Sequence, residues 1–233
     1  MNAAPSSPPR PRIGLIHALA QSQPPVLAAF AALWPEAETF NLLDDSLAPD
    51  LAATGSLDQA MMDRFLALAT YAAQAGPRES ATRGILFTCS AFGPAIERVQ
   101  RVLGLPVLKP NEAAFEQALE SGKKIGLVAT FPSALTPMLA EFRAMAQASG
   151  RDATIEAKVA DGALAALCEG ALEKHDALIA DAAQALGPMD VLVLGQFSMA
   201  RAAGLVSART GTRVLTTPEA AVAKMRRLVG SGR

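Results

Sequence analysis

The feature that most limits how this 233-residue chain can fold is that its second half rewrites its first. Arg12-Ile13-Gly14-Leu15-Ile16-His17-Ala18 returns as Lys124-Ile125-Gly126-Leu127-Val128-Ala129-Thr130. Ile85-Leu86-Phe87-Thr88-Cys89-Ser90-Ala91 returns as Leu192-Val193-Leu194-Gly195-Gln196-Phe197-Ser198. Val107-Leu108 with Glu112-Ala113-Ala114 returns as Val214-Leu215 with Glu219-Ala220-Ala221. A duplicated chain divides into two halves of about a hundred residues, each long enough for a core of its own. Two equivalent strand-to-helix turns follow, one carrying Cys89 and the other Gln196. In a duplicated α/β protein such turns face each other across a cleft. Only one side of this cleft has a thiol.

Hydrophobic periodicity fills in the rest. Strand-type runs are expected at Ile13–Ala18, Glu38–Leu43, Gly84–Thr88, Leu105–Leu108, Lys124–Ala129, Thr154–Val159, Val191–Gly195 and Arg213–Leu215. Helical spacing covers Pro24–Trp34, Gly93–Leu103, Asn111–Glu120, Ser133–Ala148, Gly162–Glu169, Glu173–Leu186, Met199–Ala208 and Pro218–Val229. Ser56-x-x-Gln59 reads as a capping box opening a helix to about Ala75, and Leu43–Gly55 reads as a loop. Strands alternating with helices indicate parallel sheets covered on both faces, whose ligands bind at the carboxyl ends of the strands. The class is α/β. The division expected is a tail over 1–11, a first lobe from 12–112 with 213–233, and a second lobe from 113–212.

Composition removes several function classes. A net charge of −1, no basic run and 5% aromatic residues argue against nucleic acid and anionic membrane surfaces. No apolar run reaches membrane-spanning length, and Met1–Arg12 lacks the apolar segment of a secretion signal. Two cysteines form no disulfide framework, so a reducing cytoplasm is the expectation. Two distant histidines give no recognisable metal spacing, and no phosphate-binding glycine loop is present, so neither metal nor cofactor is expected.

Cys89 sits where a strand meets a helix, and N–H groups at such a start attract anions. A thiol there should ionise more readily than free cysteine, with its pKa of ~8.5. Burial as a small hydrophobe is the plain alternative. Cys168, on an apolar helix, reads as structural. His17 ends the first strand on the same sheet edge as Cys89. It is either a proton-transfer partner or a histidine tying down its own loop. His175-Asp176 reads as a solvated pair or a local hydrogen bond. Thr130-Phe131-Pro132-Ser133 either holds a carboxylate or uses Ser133 as a helix cap, and Thr216-Thr217-Pro218-Glu219 reads as a cap.

Two α/β halves with strand-end turns Thr88-Cys89-Ser90-Ala91 and Leu194-Gly195-Gln196-Phe197 resemble the aspartate/glutamate racemase superfamily, which includes hydantoin racemases, maleate isomerases and arylmalonate decarboxylases. The resemblance covers everything after the N-terminal tail. It implies two pseudo-symmetric flavodoxin-like lobes around an active-site cleft, and a cofactor-independent isomerase or racemase acting on a small carboxylate, an amino acid or dicarboxylate. Cys89 matches the first of the two racemase cysteines, and Gln196 stands where the second would be. His17 falls where glutamate racemases carry an aspartate. Ser90, Ala91, Phe197 and Ser198 match positions whose N–H groups bind carboxylate. Thr130, beside Phe131, matches a further carboxylate position, and the Thr88 hydroxyl joins the set. An amide cannot exchange a proton near neutral pH, so two-cysteine racemisation does not fit Gln196. A decarboxylase of the arylmalonate type and a non-catalytic carboxylate-binding protein are the competing readings. The implied partner is a small-molecule carboxylate, and apolar helices such as Ala163–Leu167 leave room for a homo-oligomer.

Overall fold

The computed structural model describes residues 10–77 and 80–231; the proposed N-terminal tail lies largely outside them. Short apolar segments form the strands and longer amphipathic ones the helices. In order they are β1 (Arg12–His17), α1 (Gln23–Leu33), β2 (Glu38–Leu43), α2 (Leu47–Thr54), α3 (Gln59–Gln74), β3 (Thr82–Phe87), α4 (Gly93–Val102), β4 (Val107–Leu108) and α5 (Glu112–Ser121). The repeat follows as β5 (Lys124–Ala129), α6 (Pro132–Ala148), β6 (Thr154–Val159), α7 (Ala163–Cys168), α8 (Leu172–Gln184), β7 (Val191–Leu194), α9 (Ala203–Thr210), β8 (Arg213–Thr216) and α10 (Thr217–Ser231).

The strands make two parallel four-stranded sheets, ordered β2-β1-β3-β4 and β6-β5-β7-β8. The central strands are buried nearly throughout, whereas β2 and β6, at the edges, alternate between half-buried and exposed. Helices on both faces account for the first pattern, and an open edge accounts for the second.

One boundary differs from expectation. Residues 213–216 pair with β7, so β8 belongs to the second sheet, and only the helix after it returns to the first lobe. In α10, Ala221, Val222, Met225 and Val229 pack against Ile13, Leu15 and Leu86 of the first sheet. Reciprocally, in α5, Ala113, Phe115 and Ala118 pack against Leu127 and Val193 of the second. The two halves therefore exchange equivalent helices. Lys224 of α10 reinforces the exchange by reaching Glu112 at 2.8 Å and Glu116 at 2.6 Å on α5. Lys109 ties the lobes again, between Glu97 at 2.8 Å and Glu141 of α6 at 3.0 Å. The second contact is an ion pair by distance and is not aligned as a hydrogen bond.

The other differences are local. Residues 47–54 form α2, closed by Gly55 at φ 71°, a backbone value glycine adopts without steric cost. The N-cap of α3 is Asp58, whose carboxylate accepts from Met61 N–H at 2.8 Å, so Ser56 caps nothing. Asp58 wins because it directly precedes the first helical residue, Gln59, within reach of the unpaired N–H groups. Among the described residues no helix is long and apolar enough to cross a membrane.

Candidate active site

The first half places its polar residues at the carboxyl ends of β1 and β3. His17 is fully buried, with Nδ1 2.9 Å from the Thr88 hydroxyl and Nε2 2.9 Å from Asn41 Oδ1. With the Asn41 amide oxygen facing the ring, Nε2–H donates to it and Nδ1 accepts from Thr88. Burial lowers the histidine pKa, partly offset by the Asn41 bond, so the ring is neutral. Both nitrogens are engaged, and His17 ties three strand ends together without a free lone pair for proton transfer. Asn41 was not singled out from the sequence. Its signal was a polar residue in a strand that a buried histidine must be paired with.

Cys89 follows Thr88 with an extended backbone (φ −117°, ψ 122°) and caps a short 3-10 turn over Ser90–Phe92. The thiol is half-buried and leans on the cluster of Ile16, Phe87 and Phe92. Burial pushes its pKa up to about 11, against a smaller opposite pull from the Ala91 N–H that donates to the sulfur. The expected easy ionisation is thus reversed. The inserted 3-10 turn moves the first turn of α4 away from the sulfur, and the helix-terminus effect fades within one turn.

The second half repeats this backbone with different chemistry. Gln196 has φ −135° and ψ 144°, and it caps the 3-10 turn Phe197–Ala202. Thr88 N–H donates to Ile16 O at 3.0 Å, and its counterpart Gly195 N–H donates to Val128 O at 2.9 Å. A Cβ on Gly195 would stand 2.9 Å from Leu127 Cδ1 and from Met138 Sδ, so close packing demands glycine there. Gln196 Oε1 accepts from Thr130 N–H at 2.6 Å and from the Thr130 hydroxyl at 2.7 Å. The donors that sequence assigned to substrate carboxylate at Thr130 are therefore engaged by the protein itself. Phe131, half-buried, caps α6 in extended conformation, and Ser133 lies inside the helix, making no cap bond.

The two turns meet the opposite lobe reciprocally. Ser90–Phe92 packs against α6, the helix after Thr130, while Phe197–Ala202 packs against α1 and the turn Ala20–Ser22 after His17. Phe197 is buried in the first lobe's core. Ser90 and Ser198, one residue after Cys89 and two after Gln196, are buried, and neither hydroxyl has a hydrogen-bond partner among the described residues. Asn111, at the end of β4, and Thr217, at the end of β8, are fully buried with unpaired polar atoms. Asn111 was not singled out from sequence, and Thr217 lies in the segment read there as a cap.

Other readings change outside this edge. Cys168 is exposed at the end of α7, 3.8 Å from the Gln21 amide of the other lobe, because that helix turns its alanines inward. His175 is fully buried and donates from Nδ1 to Ala163 O at 2.8 Å, whereas Asp176 pairs with Arg201 at 2.8 Å, so of the two readings the hydrogen bond holds for His175 and the solvated pair does not. A shallow concavity of about 310 Å³ lined by Leu119, Lys123 and Arg151 lies at the amino end of the second sheet, remote from the thiol. Among the described residues no three His, Cys, Asp or Glu side chains gather as a metal site.

A sequence model of the Asp/Glu/hydantoin racemase family matches residues 25–225. No curated sequence matches the chain. Among solved structures, the chain is similar to an allantoin racemase from Pseudomonas fluorescens, with 20% identity, a TM-score of 0.71, and coverage of 95% of this chain and 92% of that one. A glutamate racemase from Bacillus anthracis gives 14% identity and a TM-score of 0.72, covering 95% and 82%. A variant of arylmalonate decarboxylase in its sulfate-associated form gives 18% identity and a TM-score of 0.67, covering 96% and 95%.

Proposed function

The chain belongs to the Asp/Glu/hydantoin racemase family, and from that premise we propose that it is a cofactor-independent isomerase of a small carboxylate, working through Cys89 alone. One observation carries the reading. The turns at 89 and 196 share one backbone conformation, yet only the first bears a group able to exchange a proton or form a carbon–sulfur bond.

The chemistry follows from what each side offers. N–H groups of Ser90, Phe197 and Ser198 hold the carboxylate and the enediolate formed from it, while the Ala91 N–H donates to the sulfur. Loss of one such donor typically costs ~10²–10³ in rate. In cis–trans isomerisation the thiol first releases its proton to solvent. The thiolate adds to the double bond and the electron pair moves onto the carboxylate. The carbon–carbon bond then rotates, the sulfur leaves, and the double bond returns. Two-base stereoinversion needs a second acceptor, which Gln196 does not supply.

The raised thiol pKa favours a second reading. A sulfur that keeps its proton is suited to protonating an enediolate left by loss of CO₂, with the thiolate regaining a proton from solvent. Incubation in D₂O with maleate, amino acids and aryl malonates, followed by proton NMR, separates the two. Isomerised product without CO₂ supports the first, and CO₂ release with deuterium in the product supports the second. Full turnover by Cys89→Ala on the substrate found would overturn both.

A further inference from the structure

Resting on that reading of the site, we infer that Gln196 selects an acid with a second oxygen-acceptor group and no ammonium, such as a four-carbon dicarboxylate, and rejects α-amino acids. The orientation of the Gln196 amide is fixed by its partner. A backbone N–H can only donate, so the atom 2.6 Å from Thr130 N must be Oε1, and the Thr130 hydroxyl donates to the same oxygen. Nε2, with two N–H donors, is then the other branch. It has no hydrogen-bond partner among the described residues and is not among their buried unpaired atoms. The face where a second thiol would stand thus presents donors for an oxygen of the substrate.

An ammonium is held best by a carboxylate, and the turns after β3 and β7, residues 88–93 and 195–200, contain none. His17, where an aspartate would receive a cation, is neutral and engaged on both nitrogens. Asn41 Oδ1 is taken by that ring, and Gln196 Oε1 by Thr130. The Asp44 carboxylate after β2 is held by Arg64 at 2.7 Å and by the Ser46 hydroxyl at 2.6 Å. Asp45 and Asp161 are exposed on loops after β2 and β6. Those are edge strands, two strands and roughly 10 Å from the strands that carry Cys89 and Gln196. The Ser90 and Ser198 hydroxyls and the Asn111 amide, unpaired among the described residues, can donate or accept, so the preference rests on the Gln196 N–H donors. Neutral N–H donors at Gln196 suit a second carboxylate, because hydrogen bonds to charged groups are the stronger ones.

Succinate and aspartate test this directly, since they differ only by the ammonium. Calorimetric titration of the wild-type protein should show succinate binding at least roughly tenfold tighter than either enantiomer of aspartate. Gln196→Glu keeps an oxygen for Thr130 but replaces the N–H donors with an acceptor. It should weaken succinate roughly 10- to 100-fold and narrow or invert the ratio. Gln196→Met should weaken succinate without gaining aspartate, and circular dichroism checks that both variants fold. Tighter aspartate binding by the wild type, an unchanged ratio in Gln196→Glu, or no binding of either ligand would each overturn the assignment. The ratio measured in Cys89→Ala separates this inference from the catalytic one. A preserved preference with lost turnover supports both, whereas an amino-acid preference with thiol-dependent turnover overturns only the ligand assignment.

Discussion

The turns after β3 and β7 have nearly the same backbone and opposite chemistry. The first carries a half-buried thiol beside Thr88, whose hydroxyl joins His17 and Asn41 in linking three strand ends. The second places an amide whose oxygen is bound internally and whose N–H donors remain free. The repeat gives both turns one geometry, and the residue each carries decides what it can do. On the proposed reading a symmetric fold carries a one-sided site, with proton or sulfur chemistry on one face and hydrogen bonding on the other.

The largest expected break in the comparison comes from exchanging the reactive group. Cys89→Ala should lower kcat by ~10²–10⁴. Gln196→Ala should act mainly on KM, by about tenfold, since it removes hydrogen bonds only. Steady-state kinetics on one substrate checks both, and an equal fall in kcat from the two would erase the asymmetry.

Structural supports should also differ between the halves. Thr88→Val leaves His17 Nδ1 buried and unpaired, a loss of about 1–3 kcal/mol. Gly195→Ala forces a methyl group against Leu127 and Met138, also about 1–3 kcal/mol. Urea unfolding measures each. A neutral Gly195→Ala would mean that the second turn is looser than its contacts imply.

The thiol itself offers a sharper probe. In a Cys168→Ser background, alkylation of Cys89 should accelerate with pH toward a midpoint of about 11. A plateau near ~8.5, the free-cysteine value, would contradict a sulfur dominated by burial. Linkage gives the matching stability trend. The native thiol holds its proton more tightly than the unfolded one. Its contribution is therefore complete below ~8.5 and disappears as pH rises toward about 11.

The smallest effect belongs to His17, where the sign is opposite. Its native pKa is lowered, so its contribution is present above ~6.5 and is lost as pH falls and the unfolded state takes up the proton. His17→Phe should flatten this part of the pH–stability curve. An unchanged curve would place the ring in a more open setting.

Much of this was legible in the chain. The repeat located both turns, and alternating apolar runs and helical spacing predicted all eight strands of the two sheets. The partner of β8 was not legible, because a four-residue strand is compatible with either sheet and only hydrogen bonding decides. Residues 47–54 were missed as a helix because their capping depends on backbone turns and Gly55, not on a side-chain cap. At the site, residue types indicated chemistry but not direction. The position of His17 was read correctly, but its commitment to Asn41 depends on a cross-strand neighbour that spacing does not reveal. Likewise, the thiol's pKa turned on a short 3-10 turn and on aromatic packing, neither of which the local sequence displays.

The stereochemical course in D₂O tests the one-sided site most directly. With a substrate whose product carries a new C–H bond beside the carboxylate, the wild-type protein should introduce deuterium in one configuration only. Gln196→Cys should introduce it in both. Deuterium appearing equally in both configurations with the wild-type protein would contradict the account.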